Sequence, residues 1–153
     1  MAIEQVSVFI ENQPGRLYEI LSFLAEEEID LRSYSVAETS DFGILRMIVH
    51  DTEGAVAALK RKGFTARRND VLGIVIPDAT GSAVQAIRLL SDAGINIEYT
   101  YAFVMPNGRP QPPADALPPE RTAFVLLRVE DNARAEALLS AAGVKLAEHR
   151  ELF

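Results

Sequence analysis

The sequence has 153 residues, of which 48% are hydrophobic and 24% charged, and its formal net charge is -7. This length fits one ordinary domain or two small ones, and the acidic balance disfavours a nucleic-acid partner. The absence of cysteine and the presence of only two histidines argue against thiol, zinc and histidine-triad chemistry. No signal peptide or membrane span is visible, so we expect a cytoplasmic protein with no metal, cofactor or membrane partner.

The chain contains an internal repeat. Gly15 and Gly81 stand 66 residues apart, and the apolar positions around them match at that spacing. Gly63 and Gly143 match at a spacing of 80, so the second copy carries an insertion of fourteen residues. Residues 106–120 hold six of the eight prolines and are the predicted insertion, an excursion with polyproline character. We therefore predict two domains, residues 1–69 and 70–153.

Each copy predicts the order strand, helix, strand, strand, helix, strand. The first copy has a period-two strand at 6–10, followed by a helix with an apolar stripe at Leu17, Ile20, Leu21 and Leu24. Its remaining elements are predicted at 29–36, 44–49, 52–62 and 64–68. The second copy repeats them at 71–76, 81–93, 97–105, 122–129, 132–142 and 144–150. This order predicts an α+β fold of two ferredoxin-like βαββαβ units, each with two helices on one face of a four-stranded antiparallel sheet.

The turn between the first strand and the first helix carries the candidate chemistry. It reads Asn12-Gln13-Pro14-Gly15-Arg16-Leu17. Proline is favoured at the first helical position, and the glycine leaves backbone N–H groups unshielded at the positive end of the helix dipole. The Asn12 amide adds a donor and an acceptor, so the turn offers partners for the carboxylate and the ammonium of a free amino acid. The alternative is that the segment only turns a strand into a helix.

The same residues, placed after an apolar strand and followed by Ile29-Asp30-Leu31, resemble an ACT domain. ACT domains are ferredoxin-like regulatory units that bind amino acids and control amino-acid metabolism. The resemblance covers nearly the whole chain as two copies, strongly in the first and partially in the second. It implies that the units pair side by side into an eight-stranded antiparallel sheet with helices on one face. It also implies ligands at the interface, between the first loop of one domain and the second strand of its neighbour.

Two ligand sites follow from the resemblance. The favoured site combines the 12–17 loop with one residue of the second copy: Asn12, Gln13, Pro14, Gly15, Arg16, Leu17 and Asn96. The possible second site combines the 78–82 loop with one residue of the first copy: Asp78, Ala79, Thr80, Gly81, Ser82 and Asp30. The second loop keeps the glycine but lacks the asparagine and the proline. Two carboxylates, Asp78 and Asp30, would also repel each other in an empty pocket.

The implied function is regulatory and non-catalytic. A free amino acid is the expected effector, and the signal would pass through a homodimer or to an enzyme of amino-acid metabolism. The alternative is a protein–protein interaction or dimerisation module without a small-molecule ligand. That alternative rests on an expected open apolar sheet face, on which Ile97, Tyr99, Tyr101 and Phe103 alternate. The same tyrosines could instead reach the ligand cleft, and the proline-rich segment could form a lid over it.

Two further classes are weak. An enzyme would need His50, but its repeat equivalent is Glu130, and Asp51 and Asp131 are better explained as helix caps. His149 is expected in solvent. A nucleic-acid module would use the basic residues at 60–62 and 67–68, but the 44–48 strand offers no aromatic ring for base stacking.

Overall fold

The structure is a computed structural model that describes residues 2–105 and 122–153. The predicted insertion at 106–120, and with it the idea of a lid, lies outside the described residues. The remaining chain contains seven strands, four α-helices and one 3-10 helix, as follows. The elements are β1 (Ile3–Glu11), α1 (Arg16–Glu26), β2 (Leu31–Glu38), β3 (Phe42–Val49), α2 (Thr52–Arg61), β4 (Thr65–Pro77), α3 (Ser82–Asp92), β5 (Ile97–Met105), β6 (Thr122–Val129), α4 (Asn132–Ala141), β7 (Lys145–Leu146) and the 3-10 helix His149–Leu152.

The described chain divides into two compact units. The first unit comprises Glu4–Asp70 and His149–Phe153, and the second comprises residues 2–3 and the described part of Val71–Glu148. Each unit therefore takes a short segment from the far end of the chain.

In the first unit the strand order is β2-β3-β1-β4. β3 pairs antiparallel with both β1 and β2. The alternating residues Val6, Val8 and Ile10 of β1 are buried, and they share one core with Ile20 and Leu24 of α1. Ala55 and Leu59 of α2 belong to the same core, so both helices lie on the same face of the sheet. The predicted helical stripe is confirmed, because Leu17 and Leu21 also pack against this cluster.

The second unit repeats the arrangement with β4 and β6 in the centre, β5 beside β6 and β7 beside β4. Its core joins Leu72 and Ile74 of β4 to Leu90 of α3 and Leu139 of α4. The predicted α+β order of two ferredoxin-like units is thus observed in the described residues.

An eight-stranded sheet is not observed, because the described residues form seven strands. The sequence predicts separate strands at 64–68 and 71–76, but the 13-residue β4 runs through both. Its first part belongs to the first unit and its second part to the second unit. Asn69 and Asp70, between the two predicted strands, bring neither glycine nor proline, so nothing in the local backbone ends the strand there.

The last strand is much shorter than predicted. Residues 144–150 were expected to form it, but only Lys145 and Leu146 pair with β4. The Ala147 N–H still donates to the Gly73 carbonyl, and residues His149–Leu152 then form a 3-10 helix.

A β-bulge corrects the predicted face of β5. The register shifts between Ile97 and Tyr99, and Ile97 packs against the helix-side core, whereas Tyr99 and the alternate residues after it face the other way. Contrary to the prediction, Ile97 does not share a face with Tyr99, Tyr101 and Phe103. On that second face Phe103 stacks on Phe124 at 5.6 Å. Phe124 is only 8% exposed. The sheet face that the sequence predicts to be open is therefore covered at this position.

Candidate functional site

The 12–17 loop follows β1 and is built around Gly15. Gly15 is the N-cap of α1 and has a φ of 88° in the left-handed region, where glycine carries no steric cost. The helix consequently begins at Arg16, and Pro14 lies in the turn before it. The prediction that Pro14 opens the helix is wrong, because the positive φ of Gly15 must precede the first helical residue.

The first turn of α1 leaves backbone donors unpaired. The N–H groups of Asn12 and Gln13 donate to the carbonyls of Asp41 and Glu11, both at 2.9 Å. Within the part of the chain that the structure describes, the N–H groups of Leu17 and Tyr18 have no acceptor, and no side chain caps the helix. Unpaired N–H groups at the positive end of a helix dipole favour an anionic ligand.

The Asn12 side chain uses its amide nitrogen, but not its amide oxygen, for hydrogen bonds within the described residues. Its Nδ2 lies 3.4 Å from the carbonyl oxygens of Thr39 and Ser40, so the amide ties the 12–17 loop to the turn between β2 and β3. Its Oδ1 has no partner among the described residues and remains an acceptor. Asn12 can therefore accept a hydrogen bond from an ammonium group more readily than it can donate to a carboxylate.

The 78–82 loop has the same left-handed glycine, but a different N–H group is unpaired in the helix turn that follows it. Gly81 caps α3 with a φ of 84°, as Gly15 caps α1. The N–H of Val84, the repeat equivalent of Tyr18, donates to the Gly81 carbonyl at 3.0 Å. In the first unit the N–H of Glu19 donates to the Gly15 carbonyl at 2.9 Å, whereas its repeat equivalent Gln85 has no acceptor for its N–H among the described residues. The unpaired donor is therefore at Tyr18 in the first unit and at Gln85 in the second.

Each unit places its own loop and its own second strand at opposite ends of the sheet. In the first unit Glu11 pairs with Phe42 at the start of β3, whereas Leu31, next to Asp30, pairs with Val49 at its end. In the second unit Pro77 pairs with Thr122, and Ile97, next to Asn96, pairs with Val129. Neither unit alone brings its loop to its own Asp30 or Asn96. The combinations of Asn12 with Asn96 and of Asp78 with Asp30 stay predictions.

Arg16 is held by two carboxylates. Its guanidinium lies 2.9 Å from Glu11 and 3.0 Å from Glu19, and hydrogen bonds to Glu11 and then to Glu19 raise the pKa of Arg16 above its ordinary value. All three side chains are partly exposed.

These charges border a cleft of about 270 Å³ that lies wholly in the first unit. Its lining includes Phe9, Glu11, Arg16, Glu19, Phe42 and Lys62. Of these residues, only Arg16 belongs to a site that the sequence predicts. The available signal was Phe9 itself, an aromatic residue at an outward position between the inward Val8 and Ile10.

The residues considered for catalysis have structural roles. His50 Nδ1 accepts the backbone N–H of Asp30 at 2.9 Å, and the carboxylates of Asp51 and Asp131 cap α2 and α4 as predicted. In residues 2–105 and 122–153 no group of three or more His, Asp or Glu side chains could hold a metal ion. None of the helices described there is long and apolar enough to cross a membrane.

Comparison with known proteins gives a family match and structural neighbours. The model of an ACT domain pair matches residues 1–109. The crystal structure of protein BT0572 from Bacteroides thetaiotaomicron has 35% sequence identity and a TM-score of 0.85, covering 99% of this chain and 96% of that one. The ligand-free regulatory subunit of aspartate kinase from Thermus thermophilus has 18% identity and a TM-score of 0.61, with coverage of 92% and 90%. The Thermus flavus regulatory subunit gives 18% and 0.58 over the same coverage. Among curated proteins, none matches the sequence.

Proposed function

This chain belongs to the ACT domain family as a tandem pair of domains, and from that membership we propose that it is a regulatory protein that binds a free amino acid. The proposal assigns it no catalytic step of its own. Its fold is shared with regulatory subunits of aspartate kinase, which supports a role in sensing rather than in turnover. We expect the output to be a change in self-association or in contact with an enzyme of amino-acid metabolism.

The observation that carries the proposal is the pair of unpaired N–H groups of Leu17 and Tyr18 behind the left-handed Gly15. In the proposed complex these groups donate to the ligand carboxylate, where the helix dipole adds to the attraction. Asn12 Oδ1 accepts from the ligand ammonium, and Asn96 of the second domain is the further contributor that the family resemblance implies. The 78–82 loop with Asp30 is the weaker site, because it lacks the asparagine and the proline and would bring the carboxylates of Asp78 and Asp30 together.

The alternative function is an interaction module without a small ligand. The observation that favours it is a group of exposed apolar residues on α1 and on the edge strand β2 of the first unit. They are Tyr18, Tyr34 and Val36, which are 77%, 50% and 41% exposed. A module of this kind would self-associate or bind a protein whether or not an amino acid is present.

A thermal-shift screen of the full chain against the standard amino acids tests the proposal. A ligand at one hundred times its dissociation constant stabilises the folded state by about 2.7 kcal/mol. Gly15→Val should abolish the shift, and Asn12→Ala and Asn96→Ala should reduce it. Gly81→Val is the matched control, because Gly81 has nearly the same φ and an added Cβ meets nothing within 4 Å at either glycine.

The outcomes separate the hypotheses. A screen in which no amino acid shifts the unfolding temperature contradicts amino-acid sensing and favours the interaction module. A shift that survives Gly15→Val but is lost in Gly81→Val moves the ligand to the 78–82 loop.

A further inference from the structure

The cleft in the first unit contains both charged and aromatic groups whose binding capacity is not used internally. We propose that it is a second ligand site, separate from the backbone donors of the 12–17 loop, for a zwitterion with an aromatic or large apolar side chain. A free amino acid of that class has this chemistry. The proposal goes beyond the sensing function and does not depend on it.

The polar half of the site lies along one side of Arg16. Glu11 and Glu19 each use Oε2 to accept from the guanidinium, at 2.9 and 3.0 Å. The Oε1 atom of each carboxylate has no partner among the described residues. Two carboxylate oxygens fixed by one arginine are suited to a ligand ammonium, which needs several acceptors.

Lys62 supplies the opposite charge. It also lines the cleft, and in the described chain no carboxylate lies within ion-pairing distance of its ammonium group. Its Nζ lies 5.3 Å from the centroid of the Phe23 ring, a cation–π contact. Lys62 is therefore available to a ligand carboxylate.

The apolar half is a stacked pair of rings. Phe9 and Phe42 lie on adjacent strands with centroids 5.0 Å apart and an interplanar angle of 28°. They remain 49% and 45% exposed, so a bound side chain would remove a considerable apolar area from water. An aromatic ligand could extend the stack.

Charge balance selects a zwitterion. The charges of Glu11 and Glu19 and those of Arg16 and Lys62 sum to zero, so the lining as a whole favours neither a simple anion nor a simple cation. A simple anion would face the two carboxylates and a simple cation would face Arg16 and Lys62, whereas a ligand with both charges satisfies both sides. The volume of about 270 Å³ accommodates a molecule of amino-acid size.

The site is specific to the first copy. At the matching positions of the repeat the second copy carries only uncharged and non-aromatic residues, namely Val75, Pro77, Ser82, Gln85, Thr122 and Ala142. The fold itself therefore does not require these charged and aromatic side chains.

Three probes test the assignment on the full chain by NMR titration of backbone amides. L-Phenylalanine carries both charges, phenethylamine lacks the carboxylate and 3-phenylpropionate lacks the ammonium. We expect L-phenylalanine to shift the amides of Phe9, Phe42 and Lys62 saturably, and each one-charge analogue to bind at least about tenfold more weakly.

Variants assign the groups. Phe42→Ala and Glu19→Gln should each weaken L-phenylalanine binding about tenfold or more. Lys62→Met should weaken L-phenylalanine binding without weakening phenethylamine binding, whereas the neighbouring control Lys60→Met should change neither. These side chains are exposed, so the variants should fold. Asn96→Ala should leave this binding intact, because Asn96 contributes only to the proposed loop site, and this separates the cleft from that site. The proposal is wrong if L-phenylalanine causes no saturable shift at these amides, or if the shift survives both Phe42→Ala and Glu19→Gln.

Discussion

The Nε2 atom of His149 lies 3.0 Å from the carbonyl oxygen of Val49 in the first unit. Its Nδ1 accepts the backbone N–H of Glu4 at 3.3 Å, so the tautomer with the hydrogen on Nε2 donates to Val49 and both ring nitrogens have partners. The ring of Phe153 packs 5.5 Å away. His149 thus joins the 3-10 helix to two strands of the first unit, and the expectation that it lies in solvent is wrong.

His149→Ala should lower the free energy of unfolding by about 1–3 kcal/mol, because a partly buried N–H and a carbonyl lose their partner together. Urea denaturation followed by circular dichroism measures this change. His50→Ala is the comparison, since His50 is exposed and water can replace it as acceptor for the Asp30 N–H. A loss in His50→Ala as large as that in His149→Ala would contradict the structural role assigned to His149.

The helix caps of the two copies give a paired prediction. Asp51 accepts the Gly54 N–H at 2.9 Å, and Asp131 accepts the Arg134 N–H at 3.0 Å. Asp51→Ala and Asp131→Ala should each cost about 1 kcal/mol of stability, because the helix loses its N-terminal acceptor. The conservative variants Asp51→Asn and Asp131→Asn should retain most of it. Equal losses for alanine and asparagine in denaturant melts would show that the carboxylate charge matters rather than the cap.

The two left-handed glycines give a prediction about backbone strain. At Gly15 and Gly81 an added Cβ would enter open space, so alanine there adds strain without a steric clash. Gly15→Ala and Gly81→Ala should each destabilise the protein by about 1–2 kcal/mol. Thermal unfolding of both variants should give similar losses. A much smaller loss at one site would mean that its loop relaxes out of the left-handed conformation.

The order of elements could be predicted because the sequence states it twice. The matched glycines and the paired caps Asp51 and Asp131 mark the same helix boundaries in both copies, and short-range backbone chemistry fixes such boundaries. The 12–17 loop could be located for the same reason. Its free donors could not, since the sequence does not show that the Gly15 carbonyl accepts from Glu19, four residues on, whereas the Gly81 carbonyl accepts from Val84, three residues on.

Features set by pairing between distant segments were not predictable. A bulge changes the face of Ile97 without any glycine or proline at that point, because strand register depends on both partners. The cleft needs Phe9 and Phe42 side by side, and only the register of β1 on β3 places them there. The partners of His149, Val49 and Glu4, lie 100 and 145 residues earlier in the chain, which no local pattern reveals.

The close approach of Ile3 to Gly73 of β4, both in the second unit, gives the last prediction. A Cβ added at Gly73 would overlap the Cδ1 atom of Ile3 and lie 3.3 Å from the Cβ of Ala147. Because Ile3 is fully buried, its side chain has little room to move away. Gly73→Ala should therefore cost about 1–3 kcal/mol through overpacking.

The double variant Ile3→Val/Gly73→Ala isolates the cause. Valine lacks Cδ1, the atom that the new methyl group would meet, so the double variant should be more stable than the sum of the two single losses implies. Ile3→Val alone should cost about 0.5–1.5 kcal/mol for the lost methyl group. Denaturant melts of the four proteins give the coupling energy directly. A coupling near zero would mean that Gly73 is needed for its backbone rather than for the space beside Ile3.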